Sequence, residues 1–555
     1  MTALLTDNLP LLAGAPNGIK KLRELILELA VRGKLVEQDA SDEPASELLK
    51  RIAAEKARLV AEGKIKKQKD LADASEPVIT FPLPVGWAAT SIGEATICRD
   101  GERVPVSQAE REGRDKVFDY YGASGVIDKI DGYLFDKPLL LVGEDGANLI
   151  NRSTPIAFMA RGRYWVNNHA HVLDGISEEL LLFIELYFNA IDLKPYVTGT
   201  AQPKMNQSKM NGIAVALPPV AEQHRIVAKV DELMALCDRL EAQQADAASA
   251  HAQLVQALLG SLTQASDATE FAANWQCLAE HFHTLFSTEP SIDALKQTLL
   301  QLAVMGKLVP QDPTDEPASE LLSRIQSEKQ RLVAEGKLKK QKPLAEISEQ
   351  EKAFELPQGW EWVRLDYLLK KIGAGSTPLG GKQGYVAEGI KFLRSQNVWN
   401  EGLRLDGVAL IAELTHQKMS GTHVGAGDLL FNITGASIGR CAIVPDDFDT
   451  GNVSQHVTIV RPVAGELRHF LHVVLTSQLV QQTVMDVQVG VSREGLSIGK
   501  LAQFVIPCPP DAEQHRIVAK VDQLMALCDQ LKTQLSQARQ LNQQLASTLV
   551  EQAVA

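Results

Sequence analysis

Glu144 and Asp145 are adjacent carboxylates that could divide acid and base roles, but they close an apolar run and precede Gly146, which reads more simply as a turn. No motif of a self-contained enzyme accompanies them: the sequence has no Walker loop, no HExxH, no GxSxG, no NPPF- or DPPY-type tetrapeptide and no glycine-rich cofactor loop after a strand. Side chains suited to reading nucleic acid are better represented. Arginine pairs with the guanine edge and Asn or Gln with adenine, while Lys and Arg hold phosphates. One group gathers Gln202, Lys204, Asn206, Gln207 and Lys209, with Asn151, Arg152, Arg161 and Arg163 upstream. A second gathers Arg394, Gln396 and Asn397 with Lys382, Arg440, Ser492, Arg493 and Lys500. A solvated or turn-capping role stands beside DNA contact as the alternative for each.

The elements that must position these groups occur twice. Asp42–Ile52 (DEPASELLKRI) returns as Asp315–Ile325 (DEPASELLSRI), and Leu59–Lys69 as Leu332–Lys342, both at an offset of 273. Ala221–Asp238 returns as Ala512–Asp529 with one change, Glu232 to Gln523, at an offset of 291. The repeated blocks thus frame two inserts of unequal length, 88–217 and 361–508, which keep only weak kinship. Leu140–Leu149 pairs with Leu429–Ile438, Asn167 and His171 pair with Asn452 and His456, and Gly199 and Gly490 stand equally far before the following helix. Near-identical frames suit identical partners, and rewritten inserts suit two targets.

Apolar spacing at Leu22, Leu25, Ile26, Leu29 and Ala30 predicts a helix stopping at Gly33, and a second helix ends at a C-capping Gly63; the later copy runs from Leu295 through Gly306 to Gly336. The strips KIKKQK and KLKKQK that follow read as solvated linkers or phosphate contacts. Ile226, Val230, Leu233, Cys237 and Leu240 start a heptad that continues through Gln244, Ala247, His251, Leu254 and Leu258. Its copy runs Ile517, Val521, Leu524, Cys528, Leu531, Leu535, Ala538, Asn542, Leu545 and Leu549. Both predict coiled-coil helices; one from Glu222 to Leu259 would span roughly 57 Å at about 1.5 Å per residue. The inserts alternate short β-type runs with Gly, Pro and Asp turns, so the class is α+β. The expected divisions are a helical repeat at 1–87, an insert at 88–217, a coiled-coil helix at 218–262, a second helical repeat at 263–360, an insert at 361–508 and a final coiled-coil helix at 509–555.

The chain has 555 residues, enough for several cores without a disulfide or metal staple. Its six cysteines are scattered, without metal-ligand spacing, which fits a reducing cytoplasm. No apolar run is long enough for a membrane span. A formal net charge of −13 argues against an overall basic surface but leaves room for a local basic groove.

The repeated frame together with GEDGAN, GTAQPKMNQSKM, GDLLFNITGASIGR and AEQHRIVAKVDELM resembles the specificity subunit of type I restriction-modification systems over nearly the whole chain. The resemblance implies that the inserts are target recognition domains, each reading one half of an interrupted asymmetric site in double-stranded DNA. It further implies that the repeated helices form an antiparallel coiled coil docking two modification subunits that methylate adenine at N6, with two restriction subunits joining in the full complex. S-adenosylmethionine, ATP and Mg would then belong to those partners, and this chain would carry no cofactor and no catalytic residue. A protein-binding scaffold and an enzyme with an unrecognised site are the rival readings.

Overall fold

The computed structural model describes residues 9–65, 79–199, 202–340, 344–489 and 495–554. The chain forms two compact units, Met1–Ala247 with Ala538–Ala555, and Ala248–Gln537. In the first unit, helix Gly18–Val31 buries Leu22, Leu25, Ile26, Leu29 and Ala30, the face its spacing predicts. Gly33 follows at φ +69°, with Pro84 and Trp87 so close that a Cβ would collide; Gly306 repeats this at φ +69° against Pro357 and Trp360. Helix Ala45–Ala61 ends at Gly63, where Lys64 N donates to Leu59 O (2.9 Å) and Gly63 N to Val60 O (3.1 Å), a Schellman cap. Lys337 to Leu332 and Gly336 to Val333 form the same cap in the second unit.

Each insert is closed by its own ends. Ala88–Ser91 pairs antiparallel with Ala214–Leu217, placing Ala88 opposite Leu217, and Glu361–Arg364 pairs with Val505–Cys508, placing Glu361 opposite Cys508. Inside the first insert, one sheet has the order Ile97–Cys98, Ala170–Asp174, Leu139–Gly143, Ala157–Ala160, all antiparallel. A second sheet has the order Gly125–Ile130, Phe118–Gly122, Arg163–Val166, Phe135–Asp136, with its middle pair parallel. Leu139–Val142 is buried on both faces, Leu140 and Val142 under Phe183, Ile184 and Phe188 of helix Glu178–Ala190, and Leu139 and Leu141 against Phe135, Tyr164 and Val166 of the second sheet.

The second insert repeats both sheets. Its first has the order Leu369–Ala374, Val457–Pro462, Leu429–Asn432, Cys441–Ile443; its second adds an edge strand, Tyr385–Val386, to the order Ala409–Ile411, Ile390–Leu393, Gly451–Val453, His423–Val424. The inserts are therefore one fold. One sequence pairing is corrected by backbone register. Glu144 N donates to His169 O (2.9 Å), and the corresponding Ile433 N donates to His456 O (3.0 Å). His456 thus matches His169, not His171, and Asn167 matches Ser454, since Asn167 N bonds Tyr121 O as Ser454 N bonds Leu393 O. A two-residue slip keeps each strand's side-chain alternation, so the pattern alone did not reveal it.

The long helices run from Val220 to Gln264 and from Asp511 to Val554. In the first unit Ile226, Val230, Leu233 and Cys237 are buried and Leu240 is half-buried, in a core shared with helix Gly18–Val31 and with Ala546, Leu549, Val550 and Ala553. Arg23 reaches Asp238 (2.6 Å) and Glu241 (2.9 Å), and Lys21 reaches Ser547 (2.5 Å). In the second unit Ile517, Val521 and Cys528 are buried with Leu524 and Leu531 half-buried; Cys528, Leu524 and Leu531 share a core with Leu295, Leu299, Val255, Leu259 and Leu262. Each unit therefore combines the start of one long helix with the end of the other, the order of an antiparallel pair, and adds a repeat helix as a third member.

The heptad expectation holds for the first turns and again at Leu258, Leu535 and Leu549, which are half-buried against the cores, but not throughout. Leu254 and Leu545, expected in the seam, are 52% and 45% exposed, while Val255, Leu259, Leu262, Ala546 and Ala553 are buried. From Ile226 to Leu262 is ten turns at about 3.6 residues each, so the buried stripe drifts from a seven-residue repeat.

Candidate nucleic-acid interface

In the first insert the turn after strand Leu139–Gly143 holds a knot of charge. Glu144 is bonded by Arg103 (2.7 Å) and Lys204 (3.2 Å), and Asp145 by His169 (2.7 Å). His171 is buried with Nδ1 against Asp100 (2.6 Å) and Nε2 against Met205 O (2.8 Å). Burial opposes ionisation of Asp100, but His171 and Arg103 overcome it and hold that carboxyl below its usual range; Glu144 is likewise lowered, against its burial, by Arg103, His171 and Lys204. Asp100, Glu144 and His171 converge closely enough for a metal, but Arg103 and Lys204 already neutralise the carboxylates, so the group reads as an ion-pair network. The adjacent carboxylates are not a catalytic pair: Gly146 sits at φ +105° and donates to Pro203 O (3.0 Å), which makes the segment a turn holding the 202–206 loop.

The sequence candidates separate into structural and outward-facing groups. Arg152, itself left-handed at φ 51°, donates to Phe188 O and Ile191 O and so caps helix Glu178–Ala190; burial lowers its pKa. Asn206 caps helix Gln207–Asn211 by accepting from Lys209 N (2.9 Å), as Ser497 caps Ile498–Ala502 through Lys500 N (3.2 Å). Asn397 is buried, accepting from Arg394 N (3.0 Å) and donating to Arg404 O (2.8 Å). Backbone needs consume these three. Arg161 pairs with Glu178 and Arg163 with Asp136. Gln202, Lys204, Lys209, Lys382, Gln396 and Lys500 are exposed. Arg493, Ser492, Gly490 and the ends of both lysine strips lie outside the described residues.

Sequence reasoning missed Trp399 and Arg404. Strands Val398–Trp399 and Gly402–Leu403 form a hairpin in which the Arg404 and Arg440 guanidinium carbons each lie 3.6 Å from the centre of the Trp399 ring. Arg394 lies 5.7 Å from the Tyr385 ring. An Arg five residues after a Trp carries no motif signal; only the fold brings Arg440 to the same ring. Among the described residues no helix is long and apolar enough to cross a membrane.

The chain thus carries a duplicated α+β insert on a repeated helical frame, with exposed cations on both inserts. The type I restriction modification DNA specificity domain matches residues 84–248 and 357–538, and the chain belongs to that family. It is 38% identical to the EcoAI type I restriction enzyme specificity subunit of Escherichia coli, over 97% of this chain and 94% of that one. Identity to the EcoEI specificity subunit of Escherichia coli is also 38%, with the same coverage. Among solved structures, the HsdS subunit from Thermoanaerobacter tengcongensis matches 86% of this chain and 98% of its own at 16% identity and a TM-score of 0.38. A chain from a study of type I R-M complex assembly matches 85% and 99% at 16% identity and a TM-score of 0.44.

Proposed function

We propose that this chain supplies the DNA-sequence specificity of a type I restriction-modification complex, each insert reading one half of a bipartite asymmetric site. The helical frame docks two adenine-N6 methyltransferase subunits, joined in the full complex by restriction subunits. S-adenosylmethionine, ATP and Mg belong to those partners, and the chemistry is theirs.

One observation carries this reading. The two inserts share strand order and backbone hydrogen bonds down to the turn at Glu144 and Ile433, yet their polar side chains there are different. Asp145 facing His169 becomes Thr434 facing His456 (2.6 Å), and buried His171 becomes Thr458 by strand register. The frame contacts, by contrast, are kept: Arg225 to Asp42 (2.7 Å) recurs as Arg516 to Asp315 (2.5 Å). Repeated scaffold contacts with rewritten side chains at the turn are what two targets and one repeated partner require.

The test is co-purification with the cognate modification subunit, native mass spectrometry, and methylation of DNA by the complex. Two modification chains per copy of this chain, with methylated adenines in both halves of one interrupted site, is the expected result. Sequence-independent methylation, or a single modification chain at saturating excess, would count against it.

A further inference from the structure

The stacked arginines of the two inserts are compensated differently. In the first insert Arg111 lies over Tyr120 (4.5 Å), Arg114 over Trp165 (5.5 Å) and Arg163 over Tyr133 (5.0 Å). Each also holds a carboxylate: Asp128 (2.9 Å), Asp131 (2.5 Å) and Asp136 (3.0 Å). In the second insert Arg394, Arg404 and Arg440 are stacked, and among the described residues none of them has a carboxylate partner. Other cations of the same insert are paired, Lys391 with Asp449 and Arg461 with Asp428. In a chain of net charge −13, acids were available to compensate these three.

The arrangement around Trp399 is built. Two guanidinium carbons 3.6 Å from one ring centre cannot share a face, so Arg404 and Arg440 sandwich the indole. Stacking uses the guanidinium faces and leaves the N–H edges available. Three side-chain amides fix the surrounding backbone: Asn397 Nδ2 donates to Arg404 O (2.8 Å), Asn432 Nδ2 to Ser395 O (2.9 Å), and Asn400 Oδ1 accepts from Cys441 N (3.0 Å). The hairpin is particular to this insert. It fills the connection between Leu393 and Ala409, where the first insert has only Ala123 and Ser124 between its strands. Arg440 stands where the first insert has buried Ile156, because Asn432 N donates to Arg440 O (2.9 Å) as Gly143 N donates to Ile156 O (2.8 Å).

Resting on the DNA-specificity reading, we propose that Trp399 holds Arg404 and Arg440 as a rigid clamp that contacts the duplex in the second insert's half-site. A planar guanidinium fork takes paired acceptors, which DNA offers at guanine O6 and N7 or at phosphate oxygens. Preorganisation by the ring removes much of the ordering cost of two long side chains. The first insert, with its stacked arginines already spent on acids, makes no such contact.

The experiment uses the full chain in complex with its modification subunits and measures binding to the cognate duplex and to duplexes altered one base pair at a time. Arg404→Ala, at an exposed position, and Arg440→Ala each weaken cognate binding by at least about fivefold, and Arg440→Lys tells the two acceptors apart. A guanine contact confines the loss to one or two positions of the second half-site, and lysine does not restore it. A phosphate contact weakens all sequences alike, lowers the salt slope by about one per contact, and lysine largely preserves binding. Trp399→Leu weakens binding as both arginine changes do. Unchanged affinity and base preference for Arg404→Ala and Arg440→Ala overturn the clamp, as does a loss confined to the first half-site. If the wild-type complex itself fails to prefer any sequence, the specificity reading fails instead.

Discussion

Trp87 donates its indole N–H to Glu222 across 2.9 Å, and Trp360 does the same to Glu513 across 2.9 Å. Both carboxylates are buried in the first turn of a long helix, and both tryptophans sit at the entrance to an insert. The bond thus ties each recognition fold to its frame. The two copies differ in one respect: Glu222 Oε1 has no partner, whereas Glu513 Oε1 also accepts from Gln311 (3.3 Å). Burial raises the pKa of both.

Trp87→Phe should therefore cost about 1–3 kcal/mol, since it leaves a buried carboxylate without a donor. Trp360→Phe should cost less because Gln311 remains. Denaturant unfolding of the two variants checks the order; equal or negligible losses would mean that neither indole bond supports its carboxylate.

Glu185, in helix Glu178–Ala190, is pushed up to about 7, first by burial and then by Asp231, with Arg161 opposing. Between its ordinary 4.5 and about 7 the folded chain keeps a proton that the unfolded chain releases, so stability falls as pH rises through that window. Glu185→Gln should remove this dependence, with a gain on the order of 1 kcal/mol above pH 7 after allowing for solvent screening. Melting temperatures across the window would reveal it, and parallel curves for variant and wild type would refute it.

Arg152→Ala and Asn206→Ala should each lower stability by about 1–2 kcal/mol, because their side chains satisfy backbone groups, while leaving base preference intact. Thermal melts paired with methylated-site mapping separate the effects. A changed site with an unchanged melt would return these residues to the DNA-reading group.

Val255→Ala should cost about 1–2 kcal/mol and Leu254→Ala well under 1, although the heptad ranks Leu254 as the core residue. The reverse order would restore the supercoiled seam.

Much of the frame was legible because its signals are local. Helical spacing at Leu22–Ala30, the glycine stops at Gly33 and Gly63, and the duplication need no partner to be read. The long seam failed at Leu254 and Leu545, where a seven-residue repeat and 3.6 residues per turn diverge, and a repeat helix packs on the paired long helices as a third member. Site residues were less legible. Arginine identity does not separate Arg152, spent on a helix end, from Arg440, stacked on Trp399; the difference lies in neighbours brought from distant sequence. The Asn167 and His171 pairing slipped by two because strand alternation is blind to that shift.

The claim that the two inserts read separate halves is tested most directly by exchanging residues 88–217, whose ends pair as Ala88 opposite Leu217, for the corresponding insert of a family member. Methylome sequencing of cells carrying the hybrid and its modification subunits should show one half-site replaced, the other retained, and adenine still methylated at N6. A change in both halves, or an unaltered site, would contradict modular recognition.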